Sequence, residues 1–317
     1  MTRSDSVLVL GSAGFLGSAI VQGLAAAGNH VLALGRSEQI GESDGVVRMR
    51  GSIEDGAQLQ EALGRCDRII YCASLTTPGT SARDPALEVL GNLLPLARVI
   101  ECAHDFPACH LVYLSSGGTV YGDGGRDAVE STPLRPRSYY GAAKIGAEAL
   151  LHACAATSDW RVTVLRPTNP YGPGQAIAKA FAVVPTLFQR AIDGARFPIW
   201  GDGSAVRDYC YVDDLVGAVL ATLAHEHGGD QDRFRVFNVS SGDAVSVVEL
   251  LRLCEQASAR RIEIEFLPAR SVDVAHVSPS HAALSAATGW RPSVPLGEGL
   301  ARTWRWIEAV RAAAGNR

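Results

Sequence analysis

Along the first half of the chain, short apolar runs alternate with longer segments in which apolar residues recur at helical spacing. The short runs have the length of buried strands and lie at residues 7–10, 30–34, 68–74, 110–114 and 161–166. Helical patterns occupy residues 18–27, 84–103 and 140–151. Strands that alternate with helices in this way predict an α/β fold built on a doubly wound parallel sheet.

The pattern becomes irregular after residue 166, where a loop rich in proline and glycine runs to residue 174. Beyond it we predict helices at 181–192, 247–254 and 296–310, an apolar helix ending near His225, and strands at 197–200, 234–239 and 262–267. We therefore assign residues 1–174 and about 204–240 to the sheet domain. Residues from about 175–203 and 241–317 are assigned to a smaller C-terminal α/β lobe. In open α/β sheets, ligands bind where such loops leave the carboxyl ends of strands.

The composition is that of a globular protein with a large core: 317 residues, 47% hydrophobic, 20% charged, and a net charge of −4. No basic run typical of nucleic-acid binding occurs, and no apolar segment approaches the about 20 residues of a membrane span. We expect a cytoplasmic protein with no nucleic-acid or membrane partner. Seven scattered cysteines without a Cys-x-x-Cys pair indicate reduced thiols. His225-Glu-His227 lies at a predicted helix end, so we expect no metal site.

The first predicted strand leads directly into Gly11-Ser-Ala-Gly14-Phe-Leu-Gly17, and a helix follows. Such glycines let the backbone turn tightly and approach a pyrophosphate, to which the helix N-terminus offers unpaired N–H groups. This setting favours a dinucleotide site over a plain tight turn. Ile53 is a candidate to pack on the adenine. Gly35 and Arg36 stand where a carboxylate usually binds the ribose of NAD, so both NAD and NADP remain open.

A second group of residues combines hydroxyl, phenol and ammonium groups. Ser116 and Thr119 follow the strand at 110–114, while Tyr140 and Lys144 are i and i+4 on a predicted helix and share one face. A phenol with a pKa of about 10 is a weak base, but a nearby ammonium favours its phenolate. Tyr140 can then exchange a proton with a carbinol as hydride passes to or from a nicotinamide, with Thr119 or Ser116 bonding the same oxygen. A Tyr/Lys pair by itself is common on helix surfaces and would not indicate catalysis. Because this pair follows a nucleotide-binding unit in the sequence, a catalytic role is the better interpretation.

Together these motifs resemble the extended short-chain dehydrogenase/reductase family, and in particular its nucleotide-sugar epimerase/dehydratase branch. Their sequences look closest to those of UDP-sugar 4-epimerases. The matching motifs cover nearly the whole chain: Gly11-x-x-Gly14-x-x-Gly17, Ser115-Ser116-x-x-Thr119-Val-Tyr-Gly122, Tyr140-x-x-x-Lys144, Arg166-Pro-Thr-Asn169-Pro-Tyr-Gly-Pro-Gly174, Trp200-Gly-Asp-Gly-x-x-x-Arg207-Asp and Gly289-Trp-x-Pro292. The resemblance implies a Rossmann-type sheet domain that binds NAD or NADP. It also implies a C-terminal lobe that binds a UDP- or dTDP-linked hexose.

The resemblance also implies roles for single residues. Tyr140 and Lys144 match the catalytic pair, with Thr119 and Ser116 as hydroxyl donors. The cofactor would contact Gly11, Ala13, Gly14, Phe15, Leu16, Gly17, Arg36, Ser52, Ile53, Cys72, Ala73, Ser74, Asn92, Ser115, Pro167 and Asn169, besides Tyr140 and Lys144. The nucleotide sugar would contact Thr76, Gly117, Gly118, Thr119, Asn169, Pro185, Trp200, Arg207, Arg270 and Asp273. A homodimer is implied as well, through the helices around residues 92–103 and 140–153.

Some positions depart from the family pattern. Gly117 stands where many sugar 4-epimerases carry a serine, and Gly35 and Ser52 replace acidic residues usual around adenosine. Residues 118–120 lack the acidic residues that dehydratases and decarboxylases of the family use, so both reactions are disfavoured. We expect a 4-epimerase, and the alternative is an NADPH-dependent 4-ketoreductase acting on a 4-keto-6-deoxy sugar. A non-catalytic NAD(P) sensor is disfavoured because the Tyr140/Lys144 pair is intact.

Overall fold

The computed structural model describes residues 6–36, 40–102, 105–106, 109–175, 182–225, 232–270 and 273–315. The strands are β1 Ser6–Leu10, β2 His30–Gly35, β3 Gly41–Ser43, β4 Val46–Arg50, β5 Arg68–Tyr71, β6 His110–Leu114, β7 Arg161–Pro167, β8 Phe197–Trp200, β9 Val206–Asp208, β10 Phe234–Val239, β11 Ala244–Ser246, β12 Ile264–Leu267 and β13 His276–Val277. The helices are α1 Phe15–Ala26, α2 Gly56–Gly64, α3 Pro85–Glu88, α4 Leu94–Glu101, α5 Tyr139–Thr157, α6 Val183–Asp193, α7 Val212–Ala224, α8 Val247–Ser258, α9 Ala282–Thr288 and α10 Leu296–Gly315. None of the helices in these ranges is long and apolar enough to cross a membrane.

Eight strands form one sheet in the order β10-β7-β6-β5-β1-β2-β4-β3. All neighbours are parallel except β3 and β4, which form an antiparallel edge. β1 is completely buried, which explains why the central strands are continuous apolar runs rather than alternating ones. The predicted doubly wound α/β fold is confirmed.

Helices cover both faces of this sheet and bury its side chains in two separate cores. On one face α2, α4 and α5 pack against the strands through residues such as Leu63, Val99 and Leu151. On the other face α1, α7 and α9 do so through residues such as Leu24 and Leu215. The carboxyl ends of β1, β5, β6 and β7 therefore point to the same edge of the sheet, where ligands of such folds bind.

The helix predicted at 84–103 has an irregular interior, and its residue 103 lies outside the described residues. A π-helical segment, Val89–Leu93, separates α3 from α4. Pro95 explains the change of register, because it has no N–H to donate to the carbonyl four residues earlier and its ring crowds that carbonyl. The π-helical segment lies beside α5, next to the predicted catalytic residues.

The C-terminal part has a third core, formed mainly by α6, α8 and α10 with β8 and with Tyr209 and Tyr211, which follow β9. A three-stranded sheet, β11-β9-β13, and a parallel pair, β12-β8, accompany these helices. β10 instead joins the large sheet beside β7. The strand predicted at 262–267 is confirmed in part, because only Ile264–Leu267 is extended as β12.

Candidate active site

The glycine loop between β1 and α1 has no room for side chains at its turns. Gly11 has a φ of +87°, and a Cβ there would lie 2.7 Å from backbone atoms of Ala73. A Cβ on Gly17 would lie 2.2 Å from the carbonyl oxygen of Gly11. Helix α1 begins after Gly14 without a side-chain cap, so its first-turn N–H groups are left to a ligand. The loop fits the pyrophosphate of a dinucleotide.

Other residues of the predicted cofactor set surround this loop. Phe15 and Leu16 pack their side chains against the core of the C-terminal part, so a ligand at this loop would meet their backbone. Cys72 and Ala73 follow β5 and lie directly against Gly11. The first β-α turn and the loop after β5 are thus brought together, as the sequence predicted.

The ends of β2 and β4 form the region where the adenosine ribose is expected. Gly35 and Arg50 are register partners there, and the exposed Arg36 follows Gly35. A Cβ on Gly35 would lie 2.9 Å from the hydroxyl oxygen of Ser12. A side chain at residue 35 would only have to displace the Ser12 hydroxyl, and two arginines, Arg36 and Arg50, lie at this end of the sheet.

The loop after β4 continues this region. Ser52 and Ile53 are both half-buried, and Ile53 packs against the core on the α2 side of the sheet. The Ser52 backbone N–H donates to the side chain of Gln58 at 3.3 Å. Both residues lie beyond the end of β4, next to Gly35, where contacts with adenosine were predicted.

Asn92 organises the loop after β5. Its side-chain oxygen accepts from the Leu75 N–H at 2.9 Å and from the Ser74 hydroxyl at 3.3 Å. Its nitrogen donates to Thr76 Oγ1 and to Glu88 Oε2, both at 2.6 Å. The side chain of Asn92 is therefore used within the protein, and it shapes the loop that carries Ser74 and Thr76.

The turn after β6 explains the glycine at residue 117. A Cβ on Gly117 would lie 2.6 Å from the carbonyl oxygen of Arg166, so a serine does not fit this turn. The Ser115 hydroxyl donates to the buried Glu148 at 2.5 Å and is turned away from the loop. The Thr119 hydroxyl is buried and has no hydrogen-bond partner among the described residues. Among the hydroxyl groups predicted for catalysis, that of Thr119 is therefore buried and available to form a hydrogen bond with a ligand.

Tyr140 and Lys144 share one face of α5, as predicted. Ser138 caps the helix by accepting the Gly141 N–H at 3.1 Å. The Lys144 ammonium lies 5.5 Å from the Tyr140 ring centroid and donates to the Leu114 carbonyl at 2.9 Å. A Cβ on Gly141 would lie 2.8 Å from the carbonyl oxygen of Thr119, so Thr119 packs against the same end of α5.

The environment of the pair changes the acidity of both groups. Burial lowers the pKa of Lys144 to about 8, while the nearby charge of Glu88 opposes this fall. Burial raises the pKa of Tyr140, Glu88 raises it further, and a hydrogen bond with Ser74 lowers it. At neutral pH both groups are protonated, and Tyr140 needs additional positive charge nearby before it can act as a base.

Beyond the turn at residue 117, Asn169 has an unusual backbone. Its φ is +28°, and its side-chain amide donates to the Asp208 carbonyl at 2.7 Å. A Cβ on Gly118 would lie 3.5 Å from the Asn169 side chain, so the two predicted residues are neighbours. Pro167, the last residue of β7, accepts the Gly117 N–H at 2.9 Å. The loop after β7 therefore closes over the turn that carries Thr119.

The predicted diphosphate-binding residues gather in the C-terminal part. The Arg270 guanidinium stacks over Trp200 at 4.2 Å and donates to Asp273 at 2.7 and 3.0 Å. Burial lowers the pKa of Arg207, and the nearby Tyr209 and Asp273 oppose this effect. Trp200, Arg207, Arg270 and Asp273 thus form one group. Pro185, by contrast, is buried in α6.

Three residues near the pair were not predicted from the sequence. Tyr113 accepts a hydrogen bond from Lys144 at 3.3 Å, Glu148 bonds both Ser115 and Arg166, and Glu88 is buried beside Asn92. Glu88 and Glu148 each lie four residues from a predicted site residue, Asn92 and Lys144. That i,i+4 spacing is the signal that could have identified them.

No metal centre is apparent in the parts of the chain that the structure describes, where no group of three or more His, Cys, Asp or Glu side chains could hold an ion. Residues 226 and 227 of the His225 motif lie outside those parts. All seven cysteines are described, and none forms a disulfide.

Comparison with known proteins identifies the group to which this site belongs. The model of the NAD dependent epimerase/dehydratase family matches residues 7–240. The chain belongs to this family. Like other members of the NAD dependent epimerase/dehydratase family, it is an NAD(P)-dependent enzyme.

Relatives in the family cover nearly all of the chain. UDP-glucose 4-epimerase of Mycolicibacterium smegmatis is 32% identical over 93% of this chain and 96% of that protein. A dTDP-4-dehydro-6-deoxy-D-allose reductase of Streptomyces bikiniensis is 28% identical over 95% of this chain and 96% of that protein. The structure of Thermus thermophilus UDP-glucose 4-epimerase in complex with NAD has a TM-score of 0.84 and 30% identity, and covers 96% of this chain and 99% of that one. The predicted family, Rossmann-type fold and dinucleotide cofactor are confirmed.

Proposed function

We propose that this enzyme is a nucleoside-diphospho-sugar 4-epimerase that transiently oxidises and re-reduces C4 of the sugar. The observation that carries this proposal is the arrangement at the start of α5. Tyr140 and Lys144 share a face there, and the buried Thr119 hydroxyl beside them has no hydrogen-bond partner in the part of the chain that the structure describes. Similarity to UDP-glucose 4-epimerases supports a UDP-linked hexose as substrate, and a dTDP-linked hexose is the second candidate.

The reaction follows from the acid–base properties of these residues. When bound, the cofactor supplies the hydride acceptor and, in the return step, the hydride donor. Tyr140 takes the proton of the C4 hydroxyl and gives it back to the same oxygen, while the Lys144 ammonium stabilises the phenolate. The Thr119 hydroxyl bonds that oxygen and holds it in line with Tyr140. Because the sugar regains both its proton and its hydride, the net change is inversion at C4.

Inversion requires the sugar to turn over while the nucleotide stays bound. Arg207 and Arg270 suit the diphosphate, because a guanidinium forms paired, charge-assisted hydrogen bonds with such oxygens. Trp200 and Asp273 fix Arg270 in place. Asn169 is the neighbour of Gly118, in the turn that carries Thr119. We propose that residues 175–203 and 241–317 form the substrate lobe and that residues 1–174 and 204–240 form the dinucleotide-binding domain. Arg207 would then reach the diphosphate from the dinucleotide-binding domain.

The decisive variant is Tyr140→Phe, with Tyr139→Phe as the matched control. Tyr139 is the neighbouring tyrosine of the same helix and is 49% exposed. With UDP-glucose and then UDP-N-acetylglucosamine as substrates, we expect Tyr140→Phe to lower kcat about 10²–10⁴-fold while the Kd for NAD is unchanged. Tyr139→Phe should retain full kcat. Equal activity of the two variants would contradict the role of Tyr140.

The alternative function is an NADPH-dependent 4-ketoreductase. It is favoured by the end of β2, where Gly35 supplies no carboxylate and both Arg36 and Arg50 are near to pair with a 2′-phosphate. Mass spectrometry of the small molecules released on denaturing fresh protein separates the two functions. Stoichiometric NAD means a cofactor recycled in place and supports the epimerase. Protein that is purified empty and binds NADPH more tightly than NADH supports the reductase.

We also infer a homodimer. Val89, Leu90 and Leu94 are exposed on the helical region before and in α4, and Leu150 is exposed on the adjacent α5. A second copy that packs the same two helices against these side chains would bury them in a four-helix arrangement. Light scattering should give the mass of two chains for the parent protein and the mass of one chain for Leu90→Glu. A monomeric parent would contradict the dimer.

A further inference from the structure

Glu88 is a buried carboxylate beside the proposed active site. It is the last residue of α3 and is only 2% exposed. One oxygen accepts from Asn92 at 2.6 Å, while the other, Oε1, is buried without a hydrogen-bond partner among the described residues. A carboxylate in such a position is costly unless a positive charge lies nearby.

Lys144 provides that positive charge. Its ammonium is buried, and the hydrogen bonds it donates within the described structure go to two uncharged oxygens, the Leu114 carbonyl and the Tyr113 hydroxyl. Burial disfavours the ammonium, and among the groups that favour it Glu88 acts most strongly, ahead of Cys72 and Glu148. Glu88 and Lys144 therefore compensate each other across the space between α3 and α5.

The other ionisable groups that face Lys144 do not take over this role. Burial raises the pKa of Cys72 to about 12, so its thiol is neutral in the working range of pH. Burial raises the pKa of Tyr113 as well. The Glu148 carboxylate is already bound by Arg166 through hydrogen bonds of 2.6 and 3.1 Å. Glu88 is the carboxylate that remains for the ammonium.

Tyr140 lies in the first turn of α5, the helix against which α3 packs, and the charge of Glu88 acts on its phenol. A negative charge on Glu88 opposes formation of a second negative charge on the phenol, just as it favours the positive charge on Lys144. We propose that Glu88 is a positioning residue that holds both Tyr140 and Lys144 in their protonated forms and so sets the resting site to donate a proton. This role rests on the proposed function of the pair. It favours the step in which the carbonyl of a keto-sugar is reduced and its oxygen receives the proton of Tyr140.

The chain offers a direct measurement, because it contains only two lysines, Lys144 and Lys179. In a Lys179→Arg background with ¹³C-labelled lysine, the side-chain NMR signal reports the titration of Lys144 alone. No substrate or cofactor is needed, so the result does not depend on whether the epimerase assignment is correct. Glu88→Gln removes the charge and keeps the size and the acceptor for Asn92.

We expect Glu88→Gln to lower the pKa of Lys144 by about one unit or more, the effect of losing one nearby opposite charge. Glu88→Asp keeps the charge, so the pKa of Lys144 in this variant should stay close to that of the parent protein. Glu101→Gln, at the exposed end of α4, is the matched control and should leave the titration unchanged. If Glu88→Gln does not fold, Glu88→Leu gives the same comparison. An unchanged Lys144 titration in a folded variant that lacks the Glu88 charge would overturn the proposal.

Discussion

The buried ion pair between Glu148 and Arg166 should be among the most important single interactions for the stability of this enzyme. The Arg166 side chain, in β7, is 4% exposed and that of Glu148, in α5, is 7% exposed. Two guanidinium hydrogen bonds of 2.6 and 3.1 Å join them, and Ser115 donates to the same carboxylate. Burial alone would lower the pKa of Arg166, but the hydrogen bonds and charge of Glu148 hold it above its ordinary value.

Glu148→Gln therefore leaves a buried guanidinium without its counter-charge. Removing one partner of such a pair costs about 3–5 kcal/mol, because the remaining charge stays desolvated. We expect the free energy of unfolding in urea, followed by far-ultraviolet circular dichroism, to fall by that amount. Replacing both partners, as Glu148→Leu with Arg166→Met, should recover most of the loss, since no charge is then buried.

An exposed pair provides the control. Arg98 and Glu101 form an ion pair at 3.0 Å, but their side chains are 55% and 63% exposed. Glu101→Gln should change the free energy of unfolding by less than about 1 kcal/mol, because solvent screens such pairs. If Glu148→Gln and Glu101→Gln cost the same, burial does not determine the strength of the pair and the reasoning is refuted.

Three further predictions concern the glycine loop, the catalytic hydroxyl and the buried thiols. Gly17→Ala places a methyl group 2.2 Å from the Gly11 carbonyl oxygen, so NAD affinity measured by fluorescence should fall about tenfold or more; unchanged affinity would refute the tight turn. Thr119→Val removes a buried hydroxyl that bonds to none of the described residues, so the melting temperature should hold or rise while kcat falls. A lower melting temperature would indicate a structural role instead. Burial raises the pKa of Cys72, Cys210 and Cys254. The contribution of these thiols to the free energy of unfolding is therefore complete below the pKa of an unfolded thiol, about 8.5. Above that pH it decreases by about 1.4 kcal/mol per pH unit for each thiol. The lowered pKa of Lys144 increases stability as pH rises above 8, and this gain offsets the loss from about one thiol. The urea concentration at the unfolding midpoint should therefore still fall between about pH 8.5 and 10. A rise in that midpoint would contradict the burial of the thiols.

The sheet could be predicted from the sequence because its central strands are buried on both faces and read as continuous apolar runs. The strands β3, β9, β11 and β13 have only two or three residues each, too few to show a period of two. The π-helical segment was missed for a related reason. Apolar periodicity does not distinguish an α-helix from one that contains a single wider turn, although Pro95 marks the place.

The candidate site was predicted where a motif carries its own spacing, as with Tyr140 and Lys144. The reason for Gly117 needed the structure, because the obstacle is the carbonyl of Arg166, a residue distant in sequence. Glu88 was missed because a single glutamate in an otherwise apolar helix normally faces solvent. Its burial depends on the packing of α3 against α5, which no local pattern encodes.

The position of β10 in the large sheet affects how the chain can fold during its synthesis. β7, residues Arg161–Pro167, is an edge strand until β10, residues Phe234–Val239, has left the ribosome and paired with it. In the interval the growing chain presents a row of unpaired backbone groups on a largely apolar strand, while α6, β8, β9 and α7 are being made. Such an edge recruits other strands, so a nascent or truncated chain that stops before residue 234 should be the aggregation-prone form of this protein.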